Sequence, residues 1–285
     1  MQKVAGNIGV LVCTFGGYAL NGGHLHVLWQ PFELMIIFGS ACMAFLVANN
    51  AHTVKQTFTD LKAIYKKPKY GKTEYLELLS MLFLIFKTAR SKGWLSLESH
   101  IENPHDSDIF KKFPVFHGDH EATTFFCDYL RLISLGSDKP HEIEALMDQE
   151  LETKKEERGH TSHAVQGMAD GMPALGIVAA VLGVIHTMGS ITEPPEVLGH
   201  LIGGALVGTF LGVFLSYGFI APTSSAIKDR NDSELKYYIC IKTSTLAFLQ
   251  GAAPLVAIEF GRKILNHDVQ PTFLEVEQAT QNVTT

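Results

Sequence analysis

Residues 174–190 and 201–221 are almost wholly apolar, and between them only His186 can carry charge near neutral pH. Thr209 adds one hydroxyl near the middle of the second stretch; the rest is aliphatic, aromatic or small. A hydroxyl in an apolar helix either bonds back to its own backbone or stays available to a neighbouring helix, an ion or water. Asp, Glu, Lys and Arg at membrane depth are costly and mark ion paths. Neither stretch has one away from its ends, so an ion-transfer role would take its titrating carboxylate from another chain. His24 with His26, and His117 with His120, have metal-compatible spacing, but no third ligand completes either set and they read as solvated side chains. There is no phosphate-binding loop, Ser-His-Asp set or metal motif, so the sequence gives no basis for an active-site enzyme.

The elements that position Thr209 follow from length. Each stretch holds about 20 residues, which at about 1.5 Å per residue matches a hydrocarbon core of roughly 30 Å. Each carries a proline, Pro173 or Pro222, at its inner end. Gly204, Gly208, Gly212 and Ser216 recur every four residues on one helix face, and Gly176, Ala180, Gly183 and Thr187 form a matching stripe on the other helix. Small residues let backbones approach closely in lipid, where the hydrophobic effect does not drive helices together. The pair therefore reads as a hairpin made to pack against other helices.

Two further apolar segments precede it. The first runs from about residue 4 to 20 and ends in Asn21-Gly22-Gly23; the second opens at Pro31 and runs to about 48, with Glu33 in its first turn, where the helix dipole favours a negative charge. The expected organisation is an all-α polytopic membrane protein: a first hairpin in 1–50, a helical cytoplasmic domain in 51–169, a second hairpin in 170–222 with spans at about 171–190 and 200–221, and cytoplasmic C-terminal helices and a tail in 223–285. Residues 51–169 hold 16 of the 23 Lys and Arg, six more follow Pro222, and the loops at 21–30 and 189–199 hold none. The positive-inside rule places both termini in the cytoplasm. The net charge of −6 argues against nucleic acid as a main partner. Cys13, Cys42, Cys127 and Cys240 lack metal-ligand spacing and read as free thiols.

Within the polar block, 74–92 reads as a helix whose apolar run 78–86 is too short to span a membrane. Lys87, Arg90 and Lys92, a break at Gly93, then Glu98 and Glu102 give a basic, turn, acidic succession. Residues 104–118 read as loop, 121–135 and 141–158 as separate helices, and 159–171 as a bend towards the membrane. Thr223 to Leu249 reads as a long helix, Glu259 and Arg262 as a helix-surface pair, and the residues from Asp268 as frayed.

The run ALVGTFLGVFLSYGFIAP after PALGIVAAVLGVIH resembles the A subunit of the bacterial flagellar stator, the MotA family. TFGGYALNGG, QPFELMIIFG, SLESHIENP, DYLRLI, EIEALMDQELE and AIEFGRK extend the resemblance, in order, over nearly the whole chain. The resemblance implies a subunit of the bacterial inner membrane, five copies of it around two copies of a B subunit (MotB-like) that supplies the membrane aspartate and a peptidoglycan-binding domain. It implies that Arg90 and Glu98 contact the rotor protein FliG, that Glu150 matches an acidic family residue, and that Pro173 and Pro222 couple ion passage to movement. Ala180, Thr209 and Phe210 would border the ion path. Sodium-driven relatives carry hydroxyls where Ala180 and Phe210 stand, so the implied coupling ion is the proton, with no other cofactor. The alternatives are a sodium-driven stator, an ExbB/TolQ-type energiser of outer-membrane transport, which typically has three spans, and a membrane scaffold that conducts nothing.

Overall fold

The computed structural model describes residues 2–136 and 139–284, and among these every regular element is helical. Helix α1 is Gln2–Leu20, α2 is Leu25–Ala48, opening with a 3-10 turn, and α3 is Ala51–Ala63. Then come α4 (Lys72–Lys92), α5 (Glu98–Glu102), α6 (Pro114–Gly118) and α7 (His120–Ser134). Helices α8 (Pro140–Met188) and α9 (Pro195–Leu249) are the longest, and α10 (Pro254–Lys263) and α11 (Phe273–Thr284) close the chain. Helices α1, α2, α8 and α9 are long and apolar enough to cross a membrane, as expected. All four cysteines are free.

Local chemistry sets many of these boundaries. Asn50 caps α3 by accepting the Thr53 N–H at 2.8 Å, and the Gly71 N–H donates to Glu74 at 2.8 Å at the start of α4. Gly93 ends α4 at φ +80°, a conformation open to glycine. Three of the membrane-length helices contain a π turn, at Val12–Gly16, Met35–Gly39 and Ser216–Ile220.

The chain forms two compact units. The first comprises Met1–Lys67 and Glu157–Arg230. Its core joins Ile37 and Ala41 of α2 to Met172 and Ala179 of α8, and a second cluster joins Ile64, Val165 and Ile227. Hydroxyls tie its helices together: Thr161 donates to Asp60 at 2.8 Å and Ser224 to the Ser162 carbonyl at 2.8 Å. Arg230 donates to the Ala63 carbonyl at 2.7 Å and so satisfies the end of α3.

The second unit comprises Pro68–Glu156 and Asn231–Thr285, with α4 at its centre. The apolar run read as a core helix is just that: Leu78, Leu79, Met81, Leu82, Ile85 and Phe86 are fully buried. Phe86 stacks on Phe248 at 4.6 Å and Tyr70 on Tyr237 at 3.8 Å. Asp119, buried at the start of α7, caps it through the Ala122 N–H, pairs with Lys69 at 2.9 Å and accepts the Tyr70 hydroxyl. Burial acts to raise its carboxyl, but the Tyr70 and Lys69 hydrogen bonds outweigh this and hold it below the usual aspartate range. A depressed folded value gives stability that is complete above the unfolded aspartate value of about 3.9 and is lost as pH falls through the folded one. Asp119→Asn should therefore lower the thermal midpoint at pH 7, at a cost of about 1–3 kcal/mol, with the difference from the parent shrinking below about pH 4. A difference that is the same at both pH values would contradict this linkage.

Four expectations need correction. Residues 104–118 are not all loop: a 3-10 turn at Phe110–Lys112 leads into α6, driven by burial of Phe110, Phe113 and Phe116. Residues 141–158 and 159–171 are not a helix and a bend but parts of the unbroken α8, since Gly159, Gly167 and Gly171 cost helix propensity without forcing a break. The tail is not frayed: α11 buries Val276, and Lys72 donates to Glu275 at 2.8 Å, holding that carboxyl at about 2. Arg262 is not on a surface but is 6% exposed; its guanidinium grips Glu259 at 2.8 Å and donates to the Pro271 carbonyl at 3.0 Å.

Candidate functional site

Within the first unit the two small-residue stripes face each other. A Cβ on Gly212 would lie 2.8 Å from the Gly176 Cα and 2.7 Å from the Met172 carbonyl oxygen, and one on Gly183 would lie 2.7 Å from the Ala205 Cβ. A Cβ on Gly208 would lie 3.1 Å from both the Ala179 Cβ and the Ala180 N. Gly204 faces the Gln30 amide instead. Gly176, Gly183, Gly208 and Gly212 thus serve the hairpin's own seam, and the residue inside that seam is Ala179, 1% exposed, while Ala180 flanks it half-buried. The sequence stripe that included Ala180 is corrected by one residue, because 3.6 residues per turn lets either neighbour take the face.

Thr209 is half-buried, one residue from the seam glycine Gly208. Thr187 returns its hydroxyl to the Gly183 carbonyl at 2.8 Å, whereas Thr209 makes no such bond among the described residues. Phe210 points elsewhere: it stacks on Phe214 at 5.3 Å and lines a cleft with Thr14, Tyr18 and Leu28. Ala180 and Thr209 therefore border the seam, and Phe210 borders the first hairpin.

Both prolines lie within continuous helix. Pro173 is inside α8, and Pro222 follows directly on the π turn Ser216–Ile220 and Ala221. Proline lacks an N–H and its ring crowds the carbonyl four residues earlier, and a widened turn ahead of it relieves the crowding. Ser216, read from the sequence only as a small residue, donates its hydroxyl to the Ala169 carbonyl at 2.6 Å and is 1% exposed. The spacing of Ala169 four residues before Pro173 is the sequence signal for that bond.

In the second unit Arg90 and Glu98 are both exposed, on either side of the Gly93 turn. The turn is anchored beneath them by Leu97, fully buried, and by Trp94, whose ring meets Phe248 edge-on at 5.6 Å. Arg90 donates to the Ala252 carbonyl at 3.2 Å and remains solvent-facing; Glu102 is engaged by Arg131 at 2.8 Å. Glu150 is half-buried, accepting the Tyr129 hydroxyl at 2.8 Å with Lys154 at 3.6 Å. Its bonds give it a structural task that Glu98 lacks. No group of three His, Cys, Asp or Glu that could hold a metal occurs among the described residues.

Membrane-length helices packed backbone to backbone along glycines define a polytopic helical membrane protein. Residues 4–93 match the family model for the motility protein A N-terminal region, and residues 118–239 match that of the MotA/TolQ/ExbB proton channel family. The chain is 42% identical over 283 residues to motility protein A of Salmonella typhimurium, covering 99% of this chain and 96% of that one. It is 38% identical to the chemotaxis protein LafT of Vibrio parahaemolyticus, covering 98% of each. In three dimensions it resembles a chain of the flagellar MotAB stator complex from Bacillus subtilis, with a TM-score of 0.70 and 26% identity, covering 90% of this chain and 92% of that one. The chain belongs to the motility protein A family.

Proposed function

We propose that this chain is the A subunit of a proton-driven flagellar stator, joined with a B subunit to turn the rotor. The observation that carries this reading is the glycine-sealed hairpin of α8 and α9, which borders Thr209 and contains no carboxylate at membrane depth. The B subunit supplies the titrating aspartate. Neutralised by a proton, that side chain passes Ala180 and Thr209; Ala180 and Phe210 offer no side-chain oxygen with which to strip a sodium ion of water. The Bacillus relative is solved as a MotAB complex, which supports a MotB-like partner and self-association, and five A subunits around two B is the proposed stoichiometry. Ile177, Val181 and Ile185 expose apolar faces that suit lipid or neighbouring copies. The complex sits in the inner membrane with both termini in the cytoplasm.

Arg90 and Glu98 meet charged groups on FliG. A charged surface steers and selects a partner while allowing repeated release. Glu150 is a weaker candidate, since Tyr129 and Lys154 already engage it.

The test is rotation of tethered cells lacking their own stators, supplied with this chain and its B partner. Rotation should persist without sodium and stop with a protonophore. Sodium-dependent rotation would reassign the ion, and no rotation with a well-expressed partner would favour the transport-energiser reading. Thr209→Ala should slow rotation severalfold at equal membrane abundance; unchanged ion flow and rotation would favour a scaffold.

A further inference from the structure

Pro173 has no N–H, so the Ala169 carbonyl four residues before it loses its regular helical donor. A carbonyl left unpaired inside a membrane protein is costly. Here the donor comes from a different helix: Ser216 of α9, 1% exposed, places its Oγ 2.6 Å from the Ala169 oxygen. The backbone of the same serine serves the other proline. Its carbonyl accepts the Ala221 N–H, five residues on, in the π turn that ends just before Ala221 and Pro222.

We propose that Ser216 is the positioning residue that joins the two proline sites, its hydroxyl closing the gap that Pro173 opens in α8 and its carbonyl closing the widened turn ahead of Pro222. Any flexing of α8 at Pro173 must stretch or exchange the Ser216–Ala169 bond, because no N–H at position 173 can take it over. The bond therefore sets two discrete arrangements, paired across the seam or broken. Movement at Pro173 is passed to the π turn of α9 through one residue. The structural part stands on this geometry alone; the part concerning rotation rests on the stator reading.

The test is a double-mutant cycle on the full complex with its B subunit. Ser216→Ala should lower the melting midpoint of the purified complex by a few degrees. Pro173→Ala restores an N–H to α8, so in that background Ser216→Ala should show less than a third of its effect. Ser216→Thr, which keeps the hydroxyl, should restore both the midpoint and rotation to within about twofold of the parent. Should Ser216→Ala not accumulate, Ser216→Cys, a weaker donor, carries the same comparison. Equal effects of the Ser216 change in both backgrounds would overturn the proposal, as would a midpoint unmoved by Ser216→Ala. In rotation, Ser216→Ala should be slowed severalfold at equal abundance; parental speed would overturn the positioning role. A parent that does not rotate at all bears on the stator reading, while the melting cycle still decides the bond.

Discussion

Replacing Gly212 by alanine should destabilise the second hairpin and abolish rotation. The new methyl group would lie 2.7 Å from the Met172 carbonyl oxygen and 2.8 Å from the Gly176 Cα, both backbone atoms of α8. A flexible side chain could swing aside; a helix backbone moves only by separating the two helices along the seam. Overpacking costs about 1–3 kcal/mol where side chains alone must adjust, and shifting backbone costs more. Alanine's better helix propensity returns at most about 1 kcal/mol. Gly167→Ala is the internal control. It lies in α8, exposed, with nothing within 4 Å of its Cβ, so the propensity gain should stand alone. Membrane abundance, melting midpoint and rotation should fall for Gly212→Ala and hold or rise for Gly167→Ala. Equal behaviour of the two variants would sink the close-packed seam.

Arg262→Ala should loosen the C-terminal part of the second unit by about 3–5 kcal/mol, the usual cost of removing one member of a buried charge pair. The guanidinium makes two bonds to Glu259 at 2.8 Å and one to the Pro271 carbonyl at 3.0 Å. Its own carbonyl accepts the Gln270 amide at 2.8 Å. Truncation leaves the Glu259 carboxylate, whose side chain is only 19% exposed, without its partner and frees the turn that leads to α11. Arg262→Lys should rescue little, because an ammonium cannot span both acceptors in a planar fork. Limited proteolysis would read this directly: cleavage near 266–272 should accelerate in both variants at temperatures where the parent resists. Parental resistance in Arg262→Ala would mean that the pair contributes no more than an exposed one.

The sequence was most legible where one property dominates. The number of spans is legible, four expected and four helices long and apolar enough to cross a membrane, because apolar length alone decides whether a helix can do so. The core helix α4 was recognised because its apolar run is too short for that and is bounded by Glu77 and Lys87. The glycine stripe of α9 was visible as a four-residue period, and Arg90 and Glu98 as charges flanking a glycine turn. What escaped was whatever depends on a partner. The order of α11 could not be read because its polar sequence gains stability from Lys72 and the core of α4, some two hundred residues earlier.

The residue types alone determined an all-α membrane protein with four spans, a hairpin able to pack closely, and no titrating group of its own at depth, since hydropathy, glycine spacing and charge are properties of the chain. The tertiary structure decided which small residues meet, and so put Ala179 in the seam and Ala180 beside it. It separated Phe210 from Thr209 and buried Arg262. It also supplied Ser216 as the donor for the carbonyl that Pro173 leaves unpaired. Those outcomes depend on the rotation of one helix against another, and a shift of a single residue, 100° on a helix, changes the neighbour without changing the pattern.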